Sequence, residues 1–197
     1  MAKMINQSFE ILSPTNWDDE LRKIEMAARN CYQSEPKGDP GAFIQRLIKR
    51  GHTAMIEFGN MSVQFITDRG VTHEIVRHRL FSFAQESTRY CRYDDYITVI
   101  KPSTWNDWDG EAQQAWTDTM FGCERAYIGM LEKGLSPQQA RAVLPNSLKT
   151  SIIVSGNFRQ WRNFFALRDD KAAHPDMQAL VAPLHTAVIN LCPAVFA

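Results

Sequence analysis

Residues 60–79 read Asn-Met-Ser-Val-Gln-Phe-Ile-Thr-Asp-Arg-Gly-Val-Thr-His-Glu-Ile-Val-Arg-His-Arg. Over residues 60–67 apolar and polar side chains alternate with a period of two, the pattern of a half-buried strand. Asp68-Arg69-Gly70 then reads as a turn, and Val71 to Arg79 as a helix. The stretch thus mixes strand and helix, the mark of an α+β chain.

The flanking sequence supports the same class. Upstream, residues 7–12 predict a short strand, and Trp17 to Tyr32 a helix capped by Asn16, with Leu21, Ile24, Ala27, Ala28 and Cys31 on its inner face. Ser34 to Gly41 is rich in turn residues, and Ala42 to Arg50 predicts a helix that Gly51 stops. Downstream, Tyr96 to Ile100 reads as a strand and Glu111 to Lys133 as a long helix, with Asp109 before it and Gly134 after it. Ser136-Pro137 opens another helix. Residues 150–155 are β-prone, Asn157 caps a helix reaching Leu167, and Asp176 to Leu191 forms the last helix. Helices and strands follow no regular βαβ alternation. The expected class is α+β, a mixed, mostly antiparallel sheet flanked by helices, in a single domain over residues 1–197.

Composition narrows the function. Hydrophobic residues make up 44% and charged residues 22% of the 197 residues, as in a globular protein with a core. Twenty-two basic residues balance twenty-two acidic ones, so a general electrostatic grip on nucleic acid is not expected. Charge interrupts every apolar stretch well short of the roughly 20 residues needed to span a bilayer, and the first residues lack the apolar run of a secretory signal. Cys31, Cys91, Cys123 and Cys192 lie far apart with no Cys-x-x-Cys pair, which points to core thiols in a reducing, cytoplasmic setting. No metal site is expected. His73 and His78 are five residues apart, about 140° around a helix, whereas paired ligands need adjacent turns. Glycine-rich nucleotide loops are absent as well.

Arginine clustering is the informative feature. Arg77, Arg79, Arg89 and Arg92 surround His78, and Arg141, Arg159, Arg162 and Arg168 form a second group. A guanidinium presents a planar fork of donors that matches phosphates and paired carbonyls. Ser82, Gln85, Ser87 and Thr88 lie among the first group, and Asn157, Arg159 and Asn163 repeat a polar face. These residues predict a pocket for a nucleotide-sized anion. Two blander readings compete with it: solvated helix faces, and a basic nucleic-acid-binding module, which the neutral net charge weakens.

Arg77-His78-Arg79, with Ser87 and then Arg89-Tyr90, resembles the arginine-histidine-arginine signature of flavin-dependent thymidylate synthases. Gly51-His52-Thr53 with Glu57, Ala140-Arg141-Ala142-Val143-Leu144-Pro145, Asn157-Phe158-Arg159, Asn163-Phe164-Phe165 and Leu167-Arg168 resemble further elements of that family, in its order. The likeness covers about residues 5–192. The chain departs from common members at Met55, Phe58, Glu74 and Ala84-Gln85.

The resemblance implies an enzyme that methylates deoxyuridylate to thymidylate. Methylenetetrahydrofolate would be the carbon donor and FAD, reduced by NADPH, the hydride source. It implies a homotetramer with active sites at subunit interfaces. It assigns Glu74, Arg77, Gln85, Ser87, Arg89, Arg141 and Arg168 to deoxyuridylate, with Arg168 the activating residue. It assigns His52, Thr53, Glu57, Arg77, His78, Arg79, Asn157, Arg159 and Asn163 to FAD. His78 between two arginines is expected to stay neutral. Glu57 is equally a partner for a nearby arginine, and Arg168 equally a helix-terminal charge. Ser87 has no neighbouring base and is read as positioning, not as a nucleophile. Trp105, Trp108, Trp116, Phe121 and Tyr127 are read as packing. A related flavoenzyme that modifies pyrimidines differently is the rival within the enzyme class.

Overall fold

A computed structural model describes residues 2–197. In chain order the elements are β1 (Lys3–Ile5), β2 (Ser8–Ser13), α1 (Trp17–Asn30), α2 (Pro40–Lys49), a 3-10 turn (Thr53–Phe58), β3 (Asn60–Asp68), α3 (Arg69–Ile75), β4 (Ser82–Gln85) and β5 (Thr98–Ile100). There follow α4 (Gly110–Glu132), α5 (Pro137–Ala140), β6 (Lys149–Asn157), α6 (Phe158–Arg168), α7 (Pro175–Leu191) and α8 (Pro193–Phe196). The class is α+β, with a mostly antiparallel sheet flanked by helices. Four strands run in the order β2-β3-β6-β4. In the smaller sheet β1 pairs with β5 in parallel, Met4 opposite Val99, so the strand pairing is mixed as expected. Among the described residues no helix is long and apolar enough to cross a membrane.

The helix caps follow from short-range chemistry. The Asn16 side chain accepts from the Asp18 amide, and Asp109 accepts from the Ala112 amide 2.7 Å away. Each satisfies a donor that the first helical turn leaves unpaired. Gly134, at φ +86, follows the end of α4 in a conformation that costs a side chain strain. Helix α2 starts earlier than expected because Asp39 caps it and Pro40 takes the first position, where the missing N–H costs nothing.

The segment quoted first behaves differently after its strand. β3 alternates as expected, burying Met61, Val63, Phe65 and Thr67. Asp68-Arg69-Gly70 is not a turn. Asp68 Oδ1 accepts from the Val71 amide, and α3 begins at Arg69. The helix also ends at Ile75 rather than Arg79, and β4 follows within a few residues. His78 therefore lies beyond the helix that carries His73.

The chain divides into two compact units. One comprises residues 1–8, 65–77 and 84–152, the other residues 9–64, 78–83 and 153–197. In the first, Ile97, Val99, Met120, Tyr127, Leu131, Ala140 and Leu148 form the core, with Trp116 packed against it. The Trp105 ring meets Trp108 at a tilt and Trp116 edge-on, at 5.6 and 5.4 Å between ring centres, so these three tryptophans pack on one another as expected. In the second, Trp161, Phe158, Phe164 and Phe165 are buried with Ile24, Ile44, Ile56 and Met61. The Trp161 indole N–H donates to the Met61 carbonyl at 2.9 Å, satisfying the one polar atom of that ring.

The cysteines are all free, but only Cys192 is a core thiol, and burial raises its pKa to about 11. Cys31 is exposed, because α1 ends one residue before it. Cys91 and Cys123 are half-buried.

Candidate functional site

In the second unit, helix α6 organises the polar groups. Asn157 caps it, accepting from the Gln160 amide at 2.9 Å, while Gln160 Oε1 accepts from the Asn157 amide at 2.8 Å. This reciprocal box fixes the helix start. The buried stripe of Phe158, Trp161, Phe164 and Phe165 leaves Arg159 and Asn163, one turn apart, on the exposed side. Arg159 Nη1 donates to Glu57 Oε1 at 2.6 Å across the 3-10 turn. Glu57 is thus the arginine partner that the sequence allowed. His52 sits exposed just before that turn and Thr53 starts it, half-buried.

The other end of α6 carries Arg168, whose Nε donates to Nε2 of His78 at 2.9 Å. Because a guanidinium only donates, His78 Nε2 must be unprotonated and its proton resides on Nδ1. The His78 ring meets the edge of Phe164, 4.9 Å between centres. Burial, and after it the Arg168 charge, lower the His78 pKa from 6.5 to about 4. The expectation of a neutral imidazole holds in direction, but its neighbours Arg77 and Arg79 are not the cause. Beyond Arg168, Asp169 bonds the His185 ring at 2.7 Å, and that ring stacks on Phe165 at 4.4 Å. These contacts hold the residue that follows Arg168. Arg79 is exposed.

The first unit gathers the other predicted group. Arg77 is exposed just past the end of α3, and Glu74 is half-buried on α3. Gln85, at the end of β4, donates its amide to Thr72 Oγ1 at 2.9 Å and to Thr150 Oγ1 at 3.4 Å. Ser87 Oγ accepts from the Arg89 amide at 3.3 Å, a turn-forming bond that suits positioning rather than nucleophilic attack. Arg89 Nε donates to Gln138 Oε1 at 3.0 Å, and its guanidinium lies 5.4 Å from the centre of the exposed Tyr90 ring.

Arg141 lines a cavity of about 240 Å³ together with Arg69, Thr88, Ala142, Leu144, Pro145 and Asn146. Arg69 was not among the expected site residues. Its Nη1 is buried without a hydrogen-bond partner among the described residues, a costly state for a charged donor unless an anion completes it. Reading Asp68-Arg69-Gly70 as a turn hid this residue. Its place one position after a capping aspartate was the available signal.

Of the expected FAD residues, all but Arg77 fall in the second unit. Of the expected deoxyuridylate residues, all but Arg168 fall in the first. The second set offers two exposed arginines, Arg79 and Arg159, the exposed amide of Asn163 and a neutral imidazole, a donor set that fits a dinucleotide's pyrophosphate and ring. The first set, with the orphaned Arg69 donor and Arg141, fits a nucleotide phosphate.

The family model for thymidylate synthase complementing protein matches residues 12–194. The chain is 34% identical over 205 residues to the flavin-dependent thymidylate synthase of Mycobacterium avium (strain 104), covering 93% of this chain and 81% of the relative. It is 33% identical over 202 residues to that of Mycobacterium marinum (strain ATCC BAA-535 / M), with the same coverage. It is 32% identical over 203 residues to that of Mycobacterium tuberculosis (strain ATCC 25177 / H37Ra), again over 93% of this chain.

Proposed function

This chain belongs to the flavin-dependent thymidylate synthase family, and we propose that it makes thymidylate from deoxyuridylate, with methylenetetrahydrofolate as carbon donor, FAD as cofactor and NADPH as reductant. The observation that carries the reading is the family match over residues 12–194, a span that contains every candidate site residue from His52 to Arg168. FAD, when bound, supplies the hydride that completes the new methyl group.

The chain's own residues bind and orient. His52, Thr53, Glu57, Arg77, His78, Arg79, Asn157, Arg159 and Asn163 hold FAD. Glu74, Arg77, Gln85, Ser87, Arg89, Arg141 and Arg168 hold deoxyuridylate, and Arg69 joins Arg141 on its phosphate. Arg168 meets the uracil carbonyl and N3 region, where negative charge grows as the ring is reduced. A fixed guanidinium there is worth about 3–4 kcal/mol of barrier. Its Nε is already held by His78, so little reorganisation is needed when charge develops. The whole chain acts as one catalytic domain and assembles as a homotetramer with active sites at subunit interfaces. Leu80 in one unit and Tyr90 in the other, each next to site residues, are 81% and 78% exposed, which supports burial of each on assembly.

The test is tritium release from ring-labelled deoxyuridylate with methylenetetrahydrofolate, FAD and NADPH, with thymidylate measured in parallel. Release matched by thymidylate is the expected result. Release without methylated product would instead favour another pyrimidine modification. Purified protein that shows no flavin absorbance, even after addition of FAD, would count against any flavoenzyme.

A further inference from the structure

Between the end of β4 and β5 the chain has no regular structure, yet Ser87 and Arg89 lie there. Backbone bonds shape the turn itself: Tyr90 and Cys91 amides both donate to the Ser87 carbonyl, at 3.1 and 2.9 Å. Those bonds fold the turn without fixing it to anything else. Glu86 does that.

Its amide donates to the Ser151 carbonyl on β6 at 2.8 Å. Its carboxylate accepts from the Tyr93 hydroxyl at 2.8 Å through Oε1, and from Lys149 Nζ at 2.8 Å and the Ser151 amide at 3.2 Å through Oε2. Glu86 and Tyr93 bracket the turn, one before it and one after, so their bond closes residues 87–92 into a loop. Lys149 and Ser151 attach that loop to β6. Burial pushes the carboxyl pKa up, but the bonds from Lys149, Tyr93 and Ser151 outweigh it and hold it below its ordinary value of 4.5. Burial and the Glu86 bond raise the Tyr93 hydroxyl well above its usual range, so it remains a donor at all working pH values.

We propose that Glu86 is a positioning residue for the nucleotide: its carboxylate, clamped by Tyr93, Lys149 and Ser151, sets where Ser87 and Arg89 stand. This rests on the reading that Ser87 and Arg89 hold deoxyuridylate. Glu86 need not touch the substrate. Neutralising it leaves Lys149 half-buried without its counter-charge and lets the turn drift, so binding is lost while the chemical step, once the nucleotide is seated, continues.

The experiment uses FAD-loaded protein and deoxyuridylate as the probe. Glu86→Gln is expected to raise both the Kd and KM for deoxyuridylate on the order of tenfold, with kcat within about twofold and flavin absorbance unchanged. Tyr93→Phe removes one clamp bond with little change of shape. It is expected to shift Kd and KM in the same direction by about threefold, and it carries the test if Glu86→Gln does not fold. A merely structural carboxylate would lower the melting temperature and leave KM unmoved. Unchanged Kd and KM in the folded variants, beside a wild type that binds deoxyuridylate, would overturn this inference alone. A wild type that binds no deoxyuridylate would overturn the functional reading with it.

Discussion

Replacing His78 with glutamine tests the environment of the Arg168 bond without removing it. Glutamine Oε1 can still accept from Arg168 Nε, but it does not titrate. Lowering the imidazole from 6.5 to about 4 corresponds to at most about 3.4 kcal/mol, at about 1.36 kcal/mol per pH unit. His78 is only half-buried, and solvent screening reduces that to about 1.5–2 kcal/mol. The sign follows from proton counting. As pH falls below 6.5 the unfolded imidazole gains a proton that the folded one refuses until about 4, so the unfolded state is favoured and stability drops.

Between about pH 7 and about pH 5 the wild type should therefore lose about 1 kcal/mol through this group, and the variant should not. Glu86, with its carboxyl held low, adds its own loss only at more acid pH. The assay is urea unfolding followed by tryptophan fluorescence at both pH values, with protein concentration held constant because assembly contributes to stability. The wild-type advantage over His78→Gln should shrink by about 1 kcal/mol at the lower pH, or about 2–4 °C in Tm. A gap of equal size at both pH values would refute the argument that His78 is held neutral by its surroundings.

Three other outcomes follow from the geometry. Arg168→Lys retains the charge but has no Nε to donate to His78, so kcat should fall about 100-fold while FAD retention, read from visible absorbance, stays near wild type. Gly156→Ala places a Cβ 2.1 Å from Phe81 Cδ1; Phe81 is buried, and the overlap should cost about 1–3 kcal/mol in thermal unfolding. Asn157→Ala removes the side-chain acceptor of the box that starts α6 and leaves the backbone amide that donates to Gln160, and urea unfolding should record a loss of about 1–2 kcal/mol.

The sequence revealed those parts of the fold whose causes lie within a few residues. Asn16 and Asn157 cap helices as read, and Asp109, read only as preceding α4, caps it too, because a cap acts on an amide two or three positions away. The alternation of β3 was legible for the same reason. Strand β4 escaped because four residues, Ser82 to Gln85, carry too little periodicity to register, and its pairing with β6 is a long-range fact. The arginine clusters were legible as charge, and their partners were not. His78 owes its low pKa to burial and to a residue 90 positions away, and Glu86 is fixed by Lys149 and Ser151, 63 and 65 positions away. Arg69 was hidden by a misjudged turn.

The anchored arginines share a design that bears on catalysis. In Arg168 and in Arg89 a side-chain hydrogen bond engages Nε, through His78 and Gln138 respectively. Nε is the atom nearest the aliphatic stem. A bond there fixes the plane of the guanidinium without using its two terminal amino groups for that purpose. A planar fork held at its base is pre-organised for a planar partner, whether a pyrimidine edge or a phosphate face. The acceptors are neutral in both cases, a depressed-pKa imidazole and an amide. A carboxylate in the same place would compensate the guanidinium charge and weaken it towards a substrate anion. Arg159, whose partner is the carboxylate of Glu57, is thereby the less suited of these arginines to stabilise charge that appears only during reaction. A neutral His78 is thus useful to Arg168 in two ways: it orients the guanidinium, and, unlike a carboxylate at Nε, it brings no opposing charge of its own.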